Sequence, residues 1–328
     1  MAQRTSIPAL QKRLTSEAAA YEYMEELRWP KGPVCPHCQS TAKHYFLTPK
    51  AEAGRTTRRG KVSERRVWKC KACRRQFTVT VGTIFHGSKI PLTTWLFVVF
   101  EIVSSKNGVA AREIQRKYDL MPKTAWFMMH RIREAMKRDP KGVAMMVGTI
   151  EADEAYIGGK SRAIRGTLSP DAKPSKRIIP EKTPVLTLVN RETGEARSKV
   201  MAKITSENLY NAIARQVDVR DSRLMTDESN RYNFIGNQFG GGHDAVYHAG
   251  GEYVRGDITS NRAENYFSQL KRSLDGTHHR ISAEHLDRYL AEFDFRFSTR
   301  KLSDTQRMAR LMGQTGRRLS YRPLINGR

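Results

Sequence analysis

Two cysteine pairs, Cys35-x₂-Cys38 and Cys70-x₂-Cys73, constrain this chain more tightly than any other feature. Two thiolates held two residues apart form a knuckle, and two knuckles supply four corners of a tetrahedron with no coordination position left open. That is the donor set of a structural zinc site, so the N-terminal part is expected to be a Cys₄ ribbon of short strands. The 31 residues between the pairs exceed the usual ribbon spacing. The excess is assigned to a basic loop, AEAGRTTRRGKVSERR, hung between the knuckles. His37 and His44 lie nearby and are read as bystanders rather than ligands. The alternation in RRVWKC and QFTVTV suits strands that carry knuckles at their ends.

Composition narrows the partner. The 328 residues include 58 Lys+Arg against 33 Asp+Glu, a formal charge of +25. An excess of that size calls for a polyanion, either nucleic acid or an anionic membrane. The longest apolar run, WLFVVFEIV at 95–103, is too short to span a bilayer and contains Glu101, so nucleic acid is favoured and no membrane association is expected. The N-terminal residues lack the apolar stretch of a signal peptide, which points to the cytoplasm. In that reducing compartment paired cysteines read as metal ligands, not disulfides.

Between the zinc ribbon and residue 140 the periodicity is helical. Ser16 is positioned to cap a helix over 16–30, PLTTWLFVVFEIVSSKNG forms another, and VAAREIQRKYD and KTAWFMMHRIREAMKR follow, joined by a short turn at DLMP. The last pair has helix-turn-helix spacing, with Pro122 at the start of the second helix and Trp126, Met129, Ile132 and Met136 facing inward. Lys123, His130 and Arg133 are then expected to remain available to DNA. Residues 54–75 add seven Arg and three Lys against one Glu, a composition suited to phosphate contacts through Arg58, Arg59, Arg65 and Arg66.

After Gly142 the pattern changes to strands. VGTIEADEAYIGG at 147–159 reads as a core strand. TPVLTLVN and EARSKVMA read as a hairpin joined by RETG, and TSENLYNAIARQV as a helix capped by Thr205. SRLMTDESNRY reads as a short strand, and HAGGEYVRGD as a turn and edge strand. A Pro/Gly/Lys/Arg-rich surface loop is expected between the first strand and the hairpin. This order is α/β.

Asp153 interrupts the apolar part of the first strand, where a lone ionised carboxylate is costly without a cation. Glu151 and Glu154 are expected on the opposite, solvated face. Asp227 ends a second strand, and TSNRAENYFSQLKR at 259–272 forms an amphipathic helix with Thr259 or Ser260 as N-cap. On it Asn261, Glu264 and Lys271 share a face, being three and seven residues apart. Two strand carboxylates and one from a following helix can hold paired Mg²⁺ or Mn²⁺ for phosphodiester chemistry.

Taken in order, CPHC…CKACRRQFTVTVGTIF, KTAWFMMHRIREAM, IEADEAYIGGK, LMTDES and TSNRAENYFSQLKRSLDGTHHRIS…HLDRYLAEFDFRF make nearly the whole chain resemble a zinc-ribbon DDE transposase of bacterial insertion sequences. The resemblance implies an RNase H-like mixed-sheet catalytic domain, metal-dependent cleavage at transposon ends, and joining of the freed 3′-hydroxyl to target DNA. It maps the first two catalytic acids onto Asp153 and Asp227. Family habit puts Asn261 third, followed by Lys271. The Glu…Lys spacing of other DDE enzymes fits Glu264 instead, and a carboxylate binds Mg²⁺ better than an amide. Lys271 and Arg272 would contact phosphate.

The expected organisation is therefore α/β, with four parts. Residues 1–88 form a helix and zinc ribbon, 89–140 a helix-turn-helix-like DNA-binding module, and 145–300 the RNase H-like domain. Residues 301–328 form a basic tail. Double-stranded DNA is the expected partner, bound by a homo-oligomer. A nuclease that does not join ends and a DNA-binding regulator without catalysis are the rival readings. Beyond the catalytic helix, His278 and His279 are read as a surface pair, and Glu292, Arg296 and Arg300 as an ion-pair ladder.

Overall fold

The computed structural model describes residues 5–48, 55–56, 62–138, 142–158, 182–227, 229–247, 254–279 and 281–325. Arg58, Arg59, residues 159–181 of the expected surface loop and all of HAGGEY at 248–253 lie outside these. The chain divides into two compact units: residues 1–138 with 299–328, and residues 139–298.

The first unit begins with α1 (Ile7–Arg13) and α2 (Glu17–Arg28), and α2 is capped by Ser16, whose side chain accepts the Ala19 N–H. The ribbon follows as β1 (His44–Phe46), a short antiparallel pair β2 (Arg55–Thr56) and β3 (Val62–Ser63) within the long insertion, then β4 (Trp68–Cys70) and β5 (Gln76–Phe77). The strands β1, β4 and β5 form a three-stranded antiparallel sheet in that order. The two knuckles are built alike. Cys35 N–H bonds Ser40 O at 3.0 Å and Cys70 N–H bonds Arg75 O at 2.9 Å. The residue after each second cysteine, Gln39 or Arg74, has φ of 58°. A left-handed residue at that point folds the chain back over the sulfurs, at a modest steric cost for a side chain with a Cβ.

Three helices follow: α3 (Leu92–Ser104), α4 (Ala111–Lys117) and α5 (Pro122–Met136). The apolar residues of α3 occur all round it, and Trp95, Leu96, Val98, Val99 and Ile102 are buried accordingly. Its first amides have no cap of their own. Glu17 on α2 supplies one, accepting Leu92 N–H at 2.6 Å and Thr93 N–H at 3.2 Å.

The second unit is a five-stranded mixed sheet. Its strands are β6 (Met146–Ile157), β7 (Thr183–Asn190), β8 (Ala196–Val200), β9 (Val217–Asp227) and β10 (His243–Val246), with helices α6 (Ser206–Ala214) and α7 (Asn233–Gly236) between the later strands. Spatial order is β10-β9-β6-β7-β8. β6, β7 and β8 are antiparallel neighbours, whereas β9 lies parallel to β6 and β10 parallel to β9. This is the RNase H-like order expected from the sequence, with β6 at its centre. The parallel edge strand is β10, four residues long and upstream of the stretch read as an edge strand; within that stretch the described pairing is a single Arg255–Ile258 bridge.

Residues of β6 alternate between two cores. Met146, Ile150 and Ala152 pack with Leu209, Ile213, Leu224 and Tyr232 on one face. Ala155 and Ile157 pack on the other with α8 (Asn261–Ser273) and α9 (Ala283–Ser298), through Tyr266, Phe267, Leu270, Leu290 and Phe293. Burying each such large side chain stabilises the fold by roughly 1.5–3 kcal/mol. Asp294 on α9 joins three elements: it accepts from Ser198 N–H (2.8 Å), Ser198 Oγ (2.7 Å) and the Tyr266 hydroxyl (2.8 Å).

The chain then returns to the first unit through α10 (Asp304–Gly313) and α11 (Tyr321–Ile325). The expected basic tail is thus replaced by two helices. Ser303 and Gln306 close a capping box at the start of α10, and Met308, Leu311 and Met312 are buried. An apolar stripe at that spacing outweighs the basic composition around it.

Candidate active site

The site starts from strand register. The parallel pairing of β6 with β9 runs to Glu151 opposite Met225. Two residues further on, the strands carry Asp153 and Asp227 at corresponding positions on the same face. Neighbouring strands lie about 4.8 Å apart, so the two carboxylates project from adjacent strands on one side of the sheet, and the charge of Asp227 acts on Asp153. α8 crosses this face and presents Glu264 one turn in. A cavity of ≈ 450 Å³ is lined by Asp153, Glu154, Glu264, Ser268, Lys271, Arg272 and Asp275, among others.

Electrostatics record the same convergence. Burial pushes the Asp153 carboxyl up to about 7, and the charges of Asp227, Glu154 and Glu264 push the same way against one opposing backbone N–H. A negative potential of that kind is what a divalent cation would relieve. The carboxylates share a neighbourhood rather than a closed cage. Among the described residues, the set of three or more ligand atoms close enough for one ion is the cysteine quartet. Mg²⁺ is commonly held by one or two carboxylates, with water and substrate phosphate completing the shell, so an open pairwise arrangement fits it.

Asn261 and Glu264 are separated by the fold. Asn261 is the first residue of α8 and exposed, with its backbone N–H on Thr259 Oγ1 (3.0 Å), and it does not line the cavity. Glu264 lines it, is half-buried, and accepts a hydrogen bond from Ser260 Oγ at 3.1 Å. Lys271 and Arg272 are exposed at the cavity rim.

The expectation for Glu151 and Glu154 needs correction. Glu151 is fully buried, and since side chains repeat every two residues along a strand, it shares the face of Asp153. Glu154 is on the other face but not solvated. It accepts the hydroxyl proton of buried Tyr232 (2.7 Å) and reaches the cavity edge. Asp275 and Ser268 also line the cavity and were not singled out by sequence. The spacing of Ser268, Lys271, Arg272 and Asp275 along one helical face is the signal that could have found them.

The cysteines form a second centre. Their four sulfurs lie within 4.8 Å of one another, with Cys35–Cys73 at 3.7 Å and Cys38–Cys70 at 3.6 Å. Tetrahedral zinc with Zn–S of about 2.3 Å sets sulfurs about 3.8 Å apart, so the quartet has the size of the ion. His44 Nε2 instead lies 3.0 Å from Ser40 O, and His37 Nε2 lies 3.3 Å from Gln76 O. Both are bystanders, as expected.

Comparison with known proteins finds similarity over both stretches of the chain. Residues 15–76 match a transposase zinc-ribbon domain, and residues 145–298 match an ISXO2-like transposase domain. In these two stretches the chain is similar to zinc-ribbon transposases of insertion sequences. A relative is the uncharacterized protein in transposable element ISH50 of Halobacterium salinarum. It is 26% identical over 300 residues, which span 87% of this chain and 92% of that protein. A solved structure, a pre-cleavage Mos1 transpososome, is 10% identical, with 69% of this chain and 79% of that chain covered, at a TM-score of 0.27. A score that low carries no weight for the fold.

The structure also sorts the basic residues expected to meet DNA. Lys123 and Arg65 are exposed. Arg66 is already engaged: it pairs with Glu22 (2.6 Å) and Glu25 (3.0 Å) on α2 and stacks over Phe46 at 4.6 Å. It fastens the ribbon to α2 instead of facing DNA. Arg133 and His130 are also corrected, being 2% and 0% exposed. Residues from Met128 to Met136 on α5 are almost all buried, so the helix is enclosed along most of its length and open at its N-terminal end, where Met121 and Lys123 are exposed. His278 packs edge-on against Tyr289 at 5.0 Å, which makes it part of the α8–α9 contact and not a surface pair. Glu292 and Arg296 do form the expected ion pair, buried on α9. Among the described residues no helix is long and apolar enough to cross a membrane.

Proposed function

We propose that this chain cuts the ends of its insertion sequence and joins the freed 3′-hydroxyl to target DNA, with Asp153, Asp227 and Glu264 as the catalytic carboxylates. The observation that carries this reading is the register that sets Asp153 beside Asp227, with Glu264 and Lys271 in the same cavity. Bound there, paired Mg²⁺ or Mn²⁺ would activate the attacking oxygen and stabilise the leaving one. Asp153, on which the charges of both Asp227 and Glu264 act, would hold the ions together with them. Lys271 and Arg272 would hold the flanking phosphate and align the strand. Asn261, outside the cavity, is assigned to the helix start. The cysteine quartet would hold structural zinc. Lys123 and Arg65, with the basic insertion, would engage double-stranded DNA, and two ends would be paired by a homo-oligomer in the cytoplasm, on the nucleoid.

The test incubates purified protein with end-sequence DNA and Mn²⁺ and looks for joined products. Wild type should give them, whereas Asp227→Ala should lose them by ~10²-fold or more while still binding DNA. Cleavage without joined products would favour a nuclease. An Asp227→Ala protein that joins ends as well as wild type removes the assignment.

A further inference from the structure

α8 carries Glu264, and local capping reaches just its first amide, Asn261 N–H on Thr259 Oγ1. Ser260 stands at the N-cap position and makes no side-chain bond to the first amides of the helix; its hydroxyl donates to Glu264 instead. The next two amides are taken by a residue 111 positions upstream. Glu151 Oε2 accepts Arg262 N–H at 2.7 Å and Ala263 N–H at 3.2 Å. Its other oxygen pairs with Arg191 Nε at 3.0 Å. Arg191 follows β7 and donates through Nη1 to Asp257 O at 2.6 Å, in the segment that leads into α8. The Arg262 guanidinium in turn donates to Arg191 O. Strand β6, the turn after β7 and the start of α8 are thus locked around one buried carboxylate.

A cap at that point could be made more cheaply. The Ser260 hydroxyl already at the N-cap, or an Asn or Asp side chain in its place, could satisfy the same amides from within the helix, without a carboxylate that is 0% exposed. What Glu151 does and a local cap cannot do is tie α8 to the strand that carries Asp153. Glu151 and Asp153 are two residues apart on one face of β6, so the strand that holds the first carboxylate also grips the turn that carries Glu264. We infer that Glu151, with Arg191 as its counter-ion, is a positioning residue that sets Glu264 against Asp153. The inference rests on the reading of those two acids as metal ligands. Residues that orient metal ligands typically affect metal affinity or activity by about 10–100-fold when removed.

The experiment measures Mn²⁺ binding to the full-length chain by electron paramagnetic resonance, alongside Mn²⁺-dependent strand transfer. The variants are Glu151→Ala, Glu151→Gln, Glu264→Ala, the Glu151→Ala/Glu264→Ala pair and Asp153→Asn. Glu151→Ala should bind Mn²⁺ about 10–100-fold more weakly. Glu151→Gln, which keeps an acceptor but loses the charge on Arg191, should fall between it and wild type. DNA affinity in chelator should stay within about 3-fold. Because Glu151 acts through Glu264, the double variant should lose little beyond Glu264→Ala, whereas independent roles would multiply. An unchanged Mn²⁺ isotherm in a Glu151 variant with native circular dichroism overturns the inference, as do multiplicative losses, or a failure of both Glu151 variants to fold. Undiminished Mn²⁺ binding by Asp153→Asn would instead overturn the reading of the site, and the inference with it.

Discussion

Asp153 is held where its ionised form is disfavoured, by burial first and by Asp227, Glu154 and Glu264 after it. The sign of the consequence follows from proton binding. With its carboxyl raised to about 7 in the fold and near 3.8 in the unfolded chain, the native state binds more protons between those values. In chelator, stability should therefore fall as pH rises from about 4 to about 7, by at most ~4 kcal/mol. Urea unfolding across that range should show the slope in wild type and lose most of it in Asp153→Asn. Added Mn²⁺ should offset the loss at neutral pH. The choice between Asn261 and Glu264 is also decided residue by residue. Glu264→Ala should lower strand transfer by ~10²-fold or more. Asn261→Ala, at an exposed helix start outside the cavity, should lower it by less than about 10-fold. The reverse ranking in a joining assay would return the third position to Asn261.

Helix starts show how elements depend on one another here. Ser16, Thr205 and Ser303 cap α2, α6 and α10 from the adjoining sequence, and such caps are legible in the chain. α3 and α8 are capped by Glu17 and Glu151, which belong to other elements. No local pattern announces these. Strand alternation alone puts Glu151 on the face of Asp153, since 151 and 153 differ by two. Its partners could not have been named, because they come from chain segments 40 and 111 positions away. Asp294 has the same character, bonding Ser198 on β8 and Tyr266 on α8. Asp294→Ala leaves buried donors unsatisfied and should destabilise the second unit by roughly 3 kcal/mol or more, read as a shift of the urea midpoint. A shift under ~1 kcal/mol would show that water replaces the carboxylate there.

Across the whole molecule, two donor sets differ in kind, thiolates in the first unit and carboxylates in the second, and suit different metals. Strong chelation of zinc, or Cys70→Ser, should unfold the ribbon and reduce DNA-end binding. The β-sheet signal of residues 139–298 should persist, since that unit has its own two cores. Limited proteolysis with circular dichroism would separate the two responses. With a formal charge of +25, DNA affinity should be steeply salt-dependent. Six to ten phosphate contacts would weaken it by ~10³–10⁵ between 50 and 200 mM salt, and a flat response would argue against a phosphate-tracking interface.

The cysteine spacing, the strand-rich pattern after Gly142 and the amphipathic helix at 259–272 were decided by the order of residues alone, because knuckles, strand alternation and helical stripes are local periodicities. The same patterns place Asp153 and Asp227 on strands, whereas nothing local announces that residues 299–328 rejoin the first unit. Which basic residues remain free was not local: Arg133 and Arg66 are as basic in sequence as Lys123, but burial on α5 and pairing with α2 withdraw them. Likewise, of two chemically plausible neighbours on one helix, Glu264 lines the cavity beside Asp153 and Asn261 does not, a difference set by how α8 lies on the sheet. Contacts between segments far apart in the chain depend on how whole elements pack, and only the tertiary structure contains that packing.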